Sequence, residues 1–70
     1  MESRYPTLIE WSANDKAFVA VVPDLPGCMT HGRTREEAAR NAEEAIQGWL
    51  EAAREAGRPI PRPSRRLVSA

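Results

Sequence analysis

Apolar positions recur every second residue in the first third of this chain and every three to four residues after Thr34, so the pattern predicts strands followed by a helix. From Tyr5 to Ser12 the odd positions Tyr5, Thr7, Ile9 and Trp11 share one face, with Leu8 and Glu10 opposite, which is the alternation of a strand. Ala13-Asn14-Asp15-Lys16 supplies the turn. Ala17 to Val22 then sets Phe18, Ala20 and Val22 on one face and Ala17, Val19 and Val21 on the other, so the second strand is apolar on both sides. Cys28 to His31 predicts a short third strand.

Between the second and third strands, Pro23-Asp24-Leu25-Pro26-Gly27 forms a stiff corner, because two prolines fix φ and the glycine permits a tight reversal. Thr34 followed by Glu37 has the spacing of a capping box, and Glu36 and Glu37 sit at the positive end of the helix dipole. At about 100° per residue Ala38, Ala42, Ala45, Ile46, Trp49, Ala53 and Ala56 form one stripe, with Arg40, Glu43, Glu44, Gln47, Glu51 and Arg54 opposite. Gly57 and Pro59 stop the helix. Trp49 and Ile46 are the large anchors of the stripe, and a packed Trp49 requires an internal acceptor for its indole N–H. Trp11 and Tyr5 read as packing residues too, or as anchors at an interface. Gly48, inside the helix, suggests a close approach of backbone to a neighbour.

The resulting fold class is α+β: a two-layer, three-stranded antiparallel sheet in the order β-β-β-α, with one long helix packed on one face. Leu67-Val68 offers a further short edge strand. We divide the chain into a β-β-β-α domain over 1–58 and a Pro/Arg-rich tail over 59–70. One helix covers one side of so small a sheet, so the second apolar face of strand two, through Val19 and Val21, is expected at an oligomer interface. With 70 residues the chain has a thin core, and a dimer is the expected minimum unit.

Net charge is zero, but it is divided unevenly. Residues 1–57 hold six Lys/Arg against ten Asp/Glu, whereas Arg58, Arg62, Arg65 and Arg66 follow with no acid. A basic tail makes Arg62, Arg65 and Arg66 candidate nucleic-acid contacts, although such a tail also docks on acidic protein surfaces. A single cysteine forms no internal bridge, no apolar run has the length of a membrane span, and the first residues lack the pattern of a secretory signal. Cytoplasmic localisation is expected.

Catalytic chemistry finds little support. Cys28 and His31, three apart in an extended segment, point to opposite faces and make no nucleophile–base pair. Asp24 is the nearest acid to them, and neither a second cysteine nor a second histidine exists to complete a metal site. No Gly-rich phosphate loop occurs. We therefore expect no enzyme, no catalytic residues, no cofactor and no metal. The stiff corner Pro23, Asp24, Leu25, Pro26 and Gly27 is the candidate partner-binding site, because a preorganised exposed loop loses little entropy on docking.

Gly32, Thr34, Glu37 and Ala38, placed after the turn Pro23-Asp24-Leu25-Pro26-Gly27-Cys28, closely resemble the signature of the HicB-like antitoxin family. Tyr5-Pro6, the segment Phe18 to Gly27, the alanine-rich helix, and Gly57 followed by Ile60-Pro61-Arg62-Pro63-Ser64 resemble that domain in the same order. The resemblance implies a truncated ribonuclease H fold and an antitoxin, itself dimeric or larger, that binds and masks a small HicA-like mRNA-cleaving toxin. Metal-dependent nuclease chemistry on that fold needs several converging carboxylates, whereas Glu10 is the single acid within a strand here. Many members of the family continue into a helix-turn-helix or ribbon-helix-helix segment; this sequence stops at Ala70, so operator binding is not expected. The alternative is an orphan nucleic-acid-binding or protein-interaction domain without a toxin partner.

Overall fold

The structure, a computed structural model, describes residues 4–64. Among these residues three strands, β1 (Leu8–Ser12), β2 (Ala17–Val21) and β3 (Met29–Gly32), precede one helix, α1 (Arg35–Glu55). The sheet is antiparallel in the order β1-β2-β3, with Ile9 opposite Ala20, Glu10 opposite Val19, and Val19 in turn opposite His31. The fold is α+β with two layers, as the periodicity predicts.

Element boundaries differ from the sequence reading at the strands. β1 begins at Leu8 rather than Tyr5, and β3 runs from Met29 to Gly32 rather than from Cys28 to His31. Cys28 instead closes the preceding corner, where its N–H donates to Leu25 and its carbonyl accepts from Val22. Ile60 lies in no strand, and Leu67 and Val68 fall outside the described residues.

The face of β2 that carries Phe18, Ala20 and Val22 is the one covered by α1. Ala20, Ala38 and Ala42 are buried together, with Ile9 and Phe18 packed against them. Small side chains on both sides of this seam bring helix and sheet close. Gly32 carries the logic furthest: a Cβ there would stand 2.7 Å from the Cα of Ala38, so only glycine allows β3 to pass the first turn of α1. Further along, Val22, Leu25, Cys28 and Ile46 form the larger half of the core, joined by Tyr5, Ala45, Trp49 and Leu50. Burying each of Val22, Leu25 and Ile46 contributes roughly 1.5–3 kcal/mol. Leu50 was not in the predicted stripe, although its i+4 spacing from Ile46 is a signal for it. Ala56, which was in that stripe, is exposed.

Both helix ends are satisfied by local chemistry. Thr34 Oγ1 accepts from the Glu37 N–H at 3.0 Å, while the Glu37 carboxylate reaches back to the N–H of Arg33 at 2.6 Å, one residue beyond the usual capping-box partner. At the other end the N–H of Arg58 donates to Ala53 and that of Gly57 to Arg54, a Schellman motif that places Gly57 at φ +69°. Gly48 does not mark a close approach: nothing would lie within 4 Å of a Cβ built there.

Candidate partner-binding site

The corner after β2 is rigid for reasons beyond its prolines. Val22 and Cys28 are bridged by a 2.9 Å hydrogen bond, and inside that bridge Leu25 N–H donates to Val22 and Cys28 N–H to Leu25. The turn is pinned from below by Leu25, whose side chain is fully buried. This corrects the reading of Leu25 as part of an exposed surface: the apolar residue between two turn formers folds inward and becomes the floor of the corner. Pro23, Pro26 and Gly27 remain exposed, and Asp24 is half-buried.

Two further segments close around the corner. The indole N–H of Trp49 donates to the Pro26 carbonyl at 2.9 Å, which supplies the internal acceptor that this residue requires. Trp49 is half-buried rather than enclosed. From the other side the chain after α1 returns along the surface, where the Tyr5 hydroxyl donates to Pro61 at 2.6 Å, and the Ser64 N–H and hydroxyl both donate to the Asp24 carboxylate, at 2.7 and 2.5 Å.

Between returning chain, corner and helix lies an open groove of about 450 Å³ lined by Pro26, Trp49, Ala52, Ala56, Pro59 and Pro61, with Arg58 at its edge. Its walls are apolar and stiff. The sequence reading missed this groove, since it arises from Trp49 and Pro26 meeting across the fold; the run of alternate prolines from Pro59 is the one signal for its outer wall.

The other candidate residues are scattered. Val19 and Val21 lie on the sheet face away from α1, Val21 being exposed and Val19 half-buried. Arg62 is exposed, and Arg65 and Arg66 fall outside the described residues. Cys28 is buried beneath the corner, where desolvation pushes its thiol above the ordinary 9.0, whereas His31 is exposed on the open face with its Nε2 3.7 Å from Asp15. The two side chains do not meet. Among the described residues no group of His, Cys, Asp and Glu is placed to hold a metal ion, and no helix is long and apolar enough to cross a membrane.

Comparison with known proteins agrees with this geometry. Residues 5–68 match the family described as HicB-like antitoxin of bacterial toxin-antitoxin system. A UPF0150 protein of Thermoplasma acidophilum is 41% identical over 56 residues, covering 80% of this chain and 81% of that protein. An uncharacterised 14.9 kDa protein of Haemophilus phage HP1 is 43% identical over 58 residues, covering 83% of this chain and 42% of its own. A chain in the solved HicA3 and HicB3 toxin-antitoxin complex superimposes with a TM-score of 0.74 at 34% identity, over 89% of this chain and 70% of that one. With the capped, alanine-faced helix and the rigid corner in the places that the Gly32-to-Ala38 signature implies, the chain belongs to the HicB-like antitoxin family.

Proposed function

We propose that this protein is a non-catalytic antitoxin domain that binds a HicA-like ribonuclease toxin and masks it. The observation that carries the reading is the likeness to a chain of the HicA3 and HicB3 complex over 89% of the sequence. The exposed residues Pro23, Pro26 and Gly27, with the apolar groove beside them, are the contact surface. A corner held by three internal backbone hydrogen bonds and by Trp49 arrives at a partner with its shape already set, so little conformational entropy is lost on docking. Residues 1–57 carry a net charge of minus four, which suits a basic, RNA-binding partner. Because a toxin that cleaves mRNA works in the cytoplasm, the antitoxin acts there too.

The test is an RNA-cleavage assay with a HicA-like toxin from the same genome. Equimolar addition of this chain is expected to stop cleavage, and Pro26→Arg, at an exposed position, is expected to weaken the inhibition at least tenfold without unfolding the domain. Undiminished cleavage at molar excess would sink the proposal.

A further inference from the structure

We propose that Ser64 is a phosphorylation site, and that a phosphoryl group transferred to it from ATP by a serine/threonine protein kinase unlatches the chain after α1 from the corner after β2. This inference concerns the isolated chain and stands independently of the toxin.

The latch is built on one carboxylate. Asp24 accepts from the Ser64 N–H at 2.7 Å with one oxygen and from the Ser64 hydroxyl at 2.5 Å with the other. Of the described aliphatic hydroxyls, Ser12 and Thr30 lie in strands, Thr34 caps α1, and Thr7 is half-buried with its Oγ1 turned to the Tyr5 carbonyl. Ser64 is exposed and lies outside helix and strand. Pro59, Pro61 and Pro63 fix their own φ and favour extended backbone at Arg58, Ile60 and Arg62, so the segment leading to Ser64 has no ladder to break when an enzyme closes around it. Arg62 before Ser64, and Arg65 and Arg66 after it in the sequence, are cations for the acidic substrate cleft of a kinase and donors for the phosphate once it is attached.

In the transfer Ser64 Oγ attacks the γ-phosphorus of ATP, the hydroxyl proton passes to the kinase's catalytic carboxylate, and the bond to the bridging oxygen breaks with its electron pair leaving on ADP. The product carries about −1.5 to −2 charges at pH 7. A hydroxyl that donates to Asp24 thereby becomes an acceptor of the same sign as Asp24, so one hydrogen bond turns into repulsion and draws the Ser64 N–H away from the other oxygen. A neutral acyl group would delete the hydroxyl bond alone; the carboxylate is what makes the phosphoryl group a switch. The latch lies beyond two other ties on the returning chain, Arg58 N–H on Ala53 and the Tyr5 hydroxyl on Pro61. Its opening removes the far anchor of the segment whose Pro59 and Pro61 form the outer wall of the groove, and leaves the core untouched.

The whole chain is incubated with ATP, Mg2+ and a serine/threonine kinase selective for arginine-flanked serines. One phosphoryl group is expected, mapped by mass spectrometry to Ser64 and absent from Ser64→Ala. Amide hydrogen exchange then reads the latch: protection of the Ser64 N–H should fall at least about tenfold in the phosphorylated chain, but less than about threefold in Ser64→Ala, which loses the hydroxyl and keeps the N–H bond. In Asp24→Asn, where a neutral amide faces Ser64, phosphorylation should change that protection by no more than about twofold. Circular dichroism confirms that each form is folded. Absence of transfer to Ser64 overturns the proposal, as does a Ser64 amide equally protected with and without the phosphate. A loss in Ser64→Ala as large as that on phosphorylation, or an equal effect of the phosphate in Asp24→Asn, would show that charge repulsion does not open the latch and overturn it as well.

Discussion

The indole N–H of Trp49 and the carbonyl oxygen of Pro26 meet at 2.9 Å, joining the middle of α1 to a corner 23 residues earlier. This bond fixes one wall of the groove relative to the other. Trp49→Phe keeps the ring's apolar contacts in part and removes the donor, so we expect a loss of about 1–2 kcal/mol of stability in urea unfolding and a larger proportional loss in toxin inhibition. Unchanged values for both would show that the bond does not hold the corner.

Glycines 32 and 48 should respond oppositely to alanine. At Gly32 the added methyl meets the backbone of Ala38, and neither element can retreat without opening the alanine seam; a loss of about 2–3 kcal/mol is expected. At Gly48 the methyl enters open space in the interior of a helix, and a gain of about 0.5–1 kcal/mol is expected. Thermal melting of the two variants checks both signs.

Asp24→Ala removes the acceptor of both Ser64 donors. Hydrogen exchange at the Ser64 amide should speed up markedly, while global stability changes by no more than about 1 kcal/mol, since these bonds compete with water at the surface. Exchange as slow as in the unaltered chain would assign the restraint to the Tyr5–Pro61 bond instead.

Cys28 gives a pH signature. Its thiol is raised above 9.0 in the folded chain by burial, so the folded state holds this proton to higher pH than the unfolded state does. Its contribution is therefore intact below the unfolded value and declines as pH rises from there through the folded one. The urea midpoint should fall more steeply above about pH 8.5 in the unaltered chain than in Cys28→Ala, and alkylation of the thiol at neutral pH should be slow until the chain unfolds.

Much of this architecture can be read from the residues, and the exceptions have definite causes. The helix was legible because Thr34, Gly57 and the alanine stripe each make a local statement that the packing does not override. Which face of β2 the helix covers was not, because both are apolar; Ala20 decides it, being small enough to lie beneath Ala38 and Ala42. Leu25 misled because a proline on either side of Asp24-Leu25 signals a turn but not the direction of a side chain within it. The groove was illegible for a different reason: its walls meet through Tyr5 with Pro61 and Trp49 with Pro26, pairs too remote in sequence for any local pattern to connect.

Because the Tyr5 hydroxyl donates to the Pro61 carbonyl, residues 56 positions apart in the chain are neighbours in space. A short synthetic bridge could therefore unite those two points, and the chain could be reopened at Asn14-Asp15 without severing a strand or the helix. Such a circular permutant, in which α1 precedes β1 in synthesis order, should reach the same solid shape.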